Sequence, residues 1–223
     1  MPVPLPTTQR RPEPAPSWAD RLIGALDEGL RAVAAPAAAT RPSPAAALPD
    51  ADLTDEERRA SAALMRVNHA GEIAAQALYH GQSLFARDPA TRRLLATAAR
   101  EERDHLAWCA ERIDELGGRP SVLDPLWYAG SFLIGVVAAA NGDAVSLGFV
   151  TETERQVEAH LRDHLQRLPA DDRKSAAILT QMAVDEAHHG TTAALAGGTE
   201  LPEPIRRCMS LGGEILRRVA LRV

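Results

Sequence analysis

An all-α fold is what the sequence predicts: an antiparallel four-helix bundle with additional short helices. Three observations lead there. Glu72 is followed thirty positions on by Glu102, with His105 three residues later, and Glu154 is followed thirty-two positions on by Glu186, with His189 three residues later. Each half thus reads as a lone Glu on one helix and Glu-x-x-His on the next, and residues three apart share a helix face. Second, hydrophobic residues make up 45% of the 223 residues but aromatics only 4%, which suits packed helices better than sheets. Third, long stretches of helical period are separated by short turn signals.

Residues 1–50 hold ten of the sixteen prolines and are expected to be a linker-like tail. Within it, Ser17 can cap a short amphipathic helix over about 17–35. Its apolar positions are Trp18, Leu22, Leu26, Leu30 and Val33, and it would either dock on the bundle or lie on a membrane. The main domain is expected over 51–223. Its first long helix starts near Thr54, with Glu57 completing a capping box, and runs to about Ala86. Asp88-Pro89 marks a turn. The second helix spans about Ala90 to Leu116 and stops at Gly117-Gly118. The third helical region runs from about Leu126 to Leu168 with a break at Asn141-Gly142, both poor helix formers. The fourth spans about Asp171 to Ala196, and a last short helix covers about 205–220. The stretch Leu126 to Ala140 is almost wholly apolar or small. It is too short to span a membrane. It reads either as a buried helix or as a half-buried one that also meets lipid through Trp127, Tyr128 and Phe132.

Apolar seams decide which acids face inward. On the second helix Leu95, Ala98, Glu102, His105, Cys109 and Leu116 form one seam, while Thr97, Glu101, Asp104, Trp108, Glu111 and Glu115 read as solvent face. On the fourth, Ile178, Met182, Glu186, His189 and Ala193 form the seam, against Gln181, Asp185, His188 and Thr192. On the third, Val150, Glu154, Val157, Leu161 and Leu165 line up, and Glu152 falls outward with Arg155 and Asp163. On the first, Met65, Glu72, Ala75 and Tyr79 line up, with His69 one turn before Glu72, either beside that carboxylate or merely packed. His160 can reach a ligand or substrate, while His80, His164 and His188 read as structural or solvent-facing. Four carboxylates on apolar seams need partners, because an unpaired buried carboxylate is strongly disfavoured. No seam supplies enough Arg or Lys. Four-helix bundles of the ferritin type use four carboxylates and two imidazoles to hold two iron or manganese ions. The predicted ligands are therefore Glu72, Glu102, His105, Glu154, Glu186 and His189. Cys109, one turn beyond His105, reads as a core residue.

Composition excludes several classes. A formal net charge of −5 argues against a general nucleic-acid partner. Two cysteines without a Cys-x-x-Cys imply no disulfide framework. No basic segment followed by an apolar run opens the chain, so no secretory signal is expected. Gly117-Gly118 and Gly197-Gly198 read as helix stops, not as nucleotide-binding loops.

At these residues the chain resembles the demethoxyubiquinone hydroxylase family of ubiquinone biosynthesis. The resemblance covers about Leu53 to Val223. Its matching stretches are Leu64–Glu72, Asp104–Cys109, Trp127–Phe132, Glu152–Glu158 and Asp185–His189. It implies a ferritin-like bundle with a di-iron centre at the same six residues, peripheral to the cytoplasmic face of the cell membrane. It implies a monooxygenase that hydroxylates the ring of demethoxyubiquinol, a polyprenyl quinol, with O₂. Electrons would come from NADH or from the quinol, and partner proteins of the same pathway are compatible with it. An iron-binding or oxygen-handling bundle without hydroxylase activity is the alternative reading.

Overall fold

The computed structural model describes residues 17–35 and 37–223, and among these it contains seven α-helices and no strand. They are α1 (Trp18–Ala34), α2 (Asp55–Phe85), α3 (Pro89–Glu115), α4 (Asp124–Ala140), α5 (Asp143–Arg167), α6 (Arg173–Leu195) and α7 (Glu203–Ala220). The four long ones, α2, α3, α5 and α6, form the expected bundle. Short connections make α2–α3 and α5–α6 antiparallel hairpins, and α3 meets α6 while α2 meets α5.

The ends follow local chemistry. Thr54 and Glu57 close a reciprocal capping box at α2, Glu57 N–H donating to Thr54 Oγ1 at 3.3 Å and Thr54 N–H to Glu57 Oε2 at 2.9 Å. Asp88 caps α3, with Pro89 at its first position. The third helical region breaks where expected. Gly142 takes φ 103°, a left-handed conformation that side chains rarely adopt, and α4 and α5 separate there.

Two apolar clusters fill the bundle. One gathers Met65, Trp108, Ile113, Leu161, Ile178 and Met182; the other gathers Tyr79, Leu95, Ala98, Leu147, Val150 and Ala193. Along each long helix the predicted site residues fall between a member of one cluster and a member of the other. The acids are thus walled by hydrocarbon at both ends of the bundle.

The remaining helices cover the bundle's flanks. α4 packs along α2, where the backbones cross at Gly81 and Gly135. A Cβ on Gly81 would lie 2.2 Å from the Phe132 carbonyl oxygen, and one on Gly135 would lie 2.3 Å from that of Leu78. Neither backbone atom can move aside. Gly81→Ala is therefore expected to destabilise the fold by at least about 1–3 kcal/mol, read as a lowered midpoint in thermal or urea unfolding. α4 is not the buried helix that its apolar sequence allows. Leu126, Leu133, Ile134 and Val137 are exposed by 50–63%. Its aromatics turn inward instead: Trp127 packs on Val67, Ala70 and Ala220, while Tyr128 stacks on Phe132 and meets His80 Nδ1 at 2.8 Å. α7 packs on α2 and α5.

α1 lies against α2 and α4 and is tied to α3 by an ion pair between Glu28 and Arg103. The side chains of Trp18, Leu22 and Leu26, part of its expected apolar stripe, lie outside the described residues. Part of the stretch expected to be linker-like is held on the bundle. Ala45 and Leu53 are buried in the first apolar cluster, and Thr40 and Arg41 lie on α3.

Candidate metal centre

The six residues selected from the seams converge between the two apolar clusters. Glu72 comes from α2, Glu102 and His105 from α3, Glu154 from α5, and Glu186 and His189 from α6. All are buried, from 0% exposure at Glu102 and His105 to 6% at His189. His105 Nδ1 lies 3.1 Å from Glu102 Oε2, 3.2 Å from Glu186 Oε1 and 3.5 Å from Glu72 Oε2. His189 Nδ1 lies 3.2 Å from both Glu102 Oε1 and Glu186 Oε2. Each central carboxylate thus turns one oxygen to each imidazole.

Two overlapping donor sets result. Glu72, Glu102, His105 and Glu186 offer atoms within 4.8 Å of one another, and so do Glu102, Glu154, Glu186 and His189. Glu102 and Glu186 belong to both. Such an arrangement would suit two adjacent cations, with Glu102 and Glu186 common to both donor sets and one outer Glu and one His completing each.

Both oxygens of Glu154 are buried with no hydrogen-bond partner, and Oε2 of Glu72 and Oε1 of Glu102 and of Glu186 meet only an imidazole Nδ1, at 3.2–3.5 Å and outside hydrogen-bonding geometry. Burial pushes the carboxyls of Glu72 and Glu154 well above the usual range, and neighbouring carboxylates add to it. At Glu102 burial acts the same way but is outweighed by His105 and His189, which hold it below that range. The imidazoles answer in kind. Against the effect of burial, surrounding carboxylates raise His105 far up and push His189 to about 12. On its own the cluster must therefore retain protons that a cation would displace. Carboxylate and imidazole donors without thiolate suit iron or manganese, and the donor set fits two such ions. Cys109 stays out of it as a core residue, its thiol pushed up by burial.

The outer faces of the imidazoles correct the expected solvent lines. His105 Nε2 donates to Asp185 Oδ2 at 2.9 Å, and His189 Nε2 donates to Glu101 Oε2 at 2.6 Å. Each acid directly precedes the Glu of a Glu-x-x-His and braces the histidine of the other half. Asp185 and Glu101 were expected among the solvent-facing residues because each helix was given a single inward seam. The signal for them was present, since an acid stands before the Glu in both halves. Asp104 and Trp108, expected on the same outer line, are only 2% exposed because Thr40 and Arg41 cover them. Glu152 is also buried rather than outward, yet it lies outside the cluster, accepting from Arg155 and Gln156 under α7.

The other histidines sort plainly. His69 lies 3.2 Å from Asp124 Oδ2 at the start of α4. His160 and His164 both meet Asn68 Oδ1, at 3.1 and 2.8 Å. They line a cavity of about 540 Å³ with Arg155, Arg167, Arg217 and Arg218 that includes none of the six cluster residues. His188 is exposed.

Residues 59–220, which contain all six cluster residues, match the model of a family described as ubiquinone biosynthesis protein COQ7. A curated relative from Ralstonia pickettii (strain 12J) is 54% identical over 215 residues, covering 92% of this chain and 99% of its own. One from Nitrosomonas europaea is 56% identical over 201 residues, covering 90% and 97%. Both relatives are named 3-demethoxyubiquinol 3-hydroxylase.

Proposed function

The chain belongs to the family of the ubiquinone biosynthesis protein COQ7, and on that footing we propose that it is a 3-demethoxyubiquinol 3-hydroxylase working through two iron ions. The observation that carries the reading is the pair of donor sets sharing Glu102 and Glu186. Glu72 and His105 complete one site, and Glu154 and His189 the other. Two ferrous ions held there would supply the redox chemistry and the open positions that reduction of O₂ needs. One oxygen atom would enter a ring C–H bond and the other would leave as water, with NADH or the quinol supplying, by way of the ions, the two electrons that this requires together with two protons. The residues of the chain fix the ions and neutralise their charge. Asp185 and Glu101 hold both imidazoles with Nδ1 inward, and the apolar layers above and below exclude water.

A polyprenyl quinol resides in a bilayer. Among the described residues no helix is long and apolar enough to cross one. The reading therefore needs a face that meets the membrane surface, and the exposed aliphatic side of α4 is its best candidate. α7 adds exposed Leu211 and Ile215 beside Arg207 and Arg218, a combination suited to anionic headgroups. Peripheral attachment at the cytoplasmic face of the cell membrane follows from this reading.

Iron content and turnover of a short-tailed demethoxyquinol test the proposal together. His189→Ala is expected to lower iron per chain and to reduce hydroxylation to the assay floor. His188→Ala, one residue away and exposed, is expected to leave both unchanged. Equal losses at the two positions would contradict the assigned rotation of α6. Two irons without turnover would favour the iron-handling alternative.

A further inference from the structure

The two halves of the cluster are not braced equally. Asp185, which braces His105, is fixed by three donors: His105 Nε2 at 2.9 Å, Gln181 Nε2 at 2.9 Å and Arg41 Nη1 at 2.9 Å. Glu101, which braces His189, meets only His189 among the described residues, and its side chain is 35% exposed against 14% for Asp185.

Arg41 makes the difference. Its Nε donates to Asp104 Oδ2 at 2.8 Å, and its guanidinium lies 4.9 Å from the centre of the Trp108 ring. Trp108 Nε1 donates in return to the Arg41 carbonyl at 3.3 Å. Thr40 fastens the same segment, its N–H reaching Asp104 Oδ1 at 2.6 Å. A planar fork between two carboxylates, stacked on an indole, leaves little freedom in any of them. Asp104 is on α3 and Asp185 on α6, so the fork also ties together the two helices that carry both Glu-x-x-His pairs. Arg41 lies outside the residues that match the family model.

We propose that Arg41 is a positioning residue that makes the two ion sites unequal: through Asp185 it locks His105, so the ion beside Glu72 and His105 is held tightly and the ion beside Glu154 and His189 exchanges more readily. The inference rests on the two-ion reading of the cluster. A preorganised imidazole binds metal more tightly because less freedom is lost on binding, and loss of such outer bracing costs about 10–100-fold in metal affinity.

Titration of the full chain with Mn²⁺ alone, without O₂, followed by calorimetry and by chelator competition, tests it. Wild type is expected to show two steps of unequal affinity. Arg41→Ala is expected to weaken the tighter step by about tenfold or more and to leave the weaker one in place. Arg41→Lys, able to engage one acid at a time, is expected to fall between. Glu101→Gln is the mirror variant and is expected to weaken only the looser step. Asp50→Ala removes the ion pair that ties the segment after Arg41 to Lys174, beside Glu115 and ten residues beyond His105 along α3, and is expected to move neither step. Should Arg41→Ala fail to fold, the Arg41→Lys shift decides. Two bound ions with both steps unmoved, or with both moved equally, would overturn the positioning role. Failure of wild type to bind two ions would instead remove the two-ion reading itself.

Discussion

Glu154→Ala is expected to lose one of the two ions and essentially all hydroxylation. Glu154 belongs to only one donor set, so iron should fall from about two per chain to about one. The wild-type carboxylate is 1% exposed, and neither oxygen has a hydrogen-bond partner. Such a group is costly in the metal-free protein and favourable only opposite a cation. The isosteric Glu154→Gln should therefore leave the metal-free protein at least as stable as wild type. It should also reduce the stabilisation gained on adding metal, which for a site saturated a hundredfold above its Kd is about 2.7 kcal/mol. Glu152→Ala is the control. It too is buried, but its oxygens are already filled by Arg155 and Gln156. It should cost some stability and no iron. Retained iron in Glu154→Ala with lost iron in Glu152→Ala would contradict the assignment on α5.

The second large effect is expected at the exposed face of α4. Leu133 and Ile134 are 63% and 50% exposed and form no part of the apolar core. Replacing both with Asp removes apolar area that a bilayer surface would cover. Binding to vesicles of phosphatidylcholine and phosphatidylglycerol should weaken by about tenfold or more. Turnover of long-tailed quinol should fall with it, whereas a soluble short-tailed quinol and the iron content should be unaffected. Phe132 is not a suitable site for this test, because it stacks on Tyr128 and its backbone meets Gly81. Unchanged vesicle binding by a folded variant would place the contact on α7 or on Ile23 and Leu30 of α1, which are also exposed.

The convergence of these six side chains was legible in the sequence because a carboxylate on an apolar seam contradicts its neighbours, and four such contradictions share one solution. The capping box at Thr54 and the break at Asn141-Gly142 were legible for a similar reason, as each is set by chemistry within a few residues. Other features depend on what lies across a gap. Asp104 and Trp108 looked like solvent face because α3 was read against one neighbour, whereas Thr40 and Arg41 supply a second. The segment around them leaves no period to read: a Pro/Ala-rich stretch of turns and irregular chain looks the same free or docked. α4 was ambiguous because a helix with apolar residues all round has no polar stripe to mark its outer side. Asp185 and Glu101 left a trace in the sequence, an acid before the Glu of each Glu-x-x-His, but which histidine each one meets depends on the pairing of two helices, which no single helical wheel contains.

Two ions held in this cluster would share Glu102 and Glu186. Anomalous diffraction at the iron edge, from crystals loaded with ferrous ion in the absence of O₂, tests it most directly. Two peaks about 3.5–4 Å apart are expected, both beside Glu102 and Glu186, one flanked by Glu72 and His105 and the other by Glu154 and His189. A single peak within the cluster, or iron bound only elsewhere, such as beside His160 and His164, would contradict it.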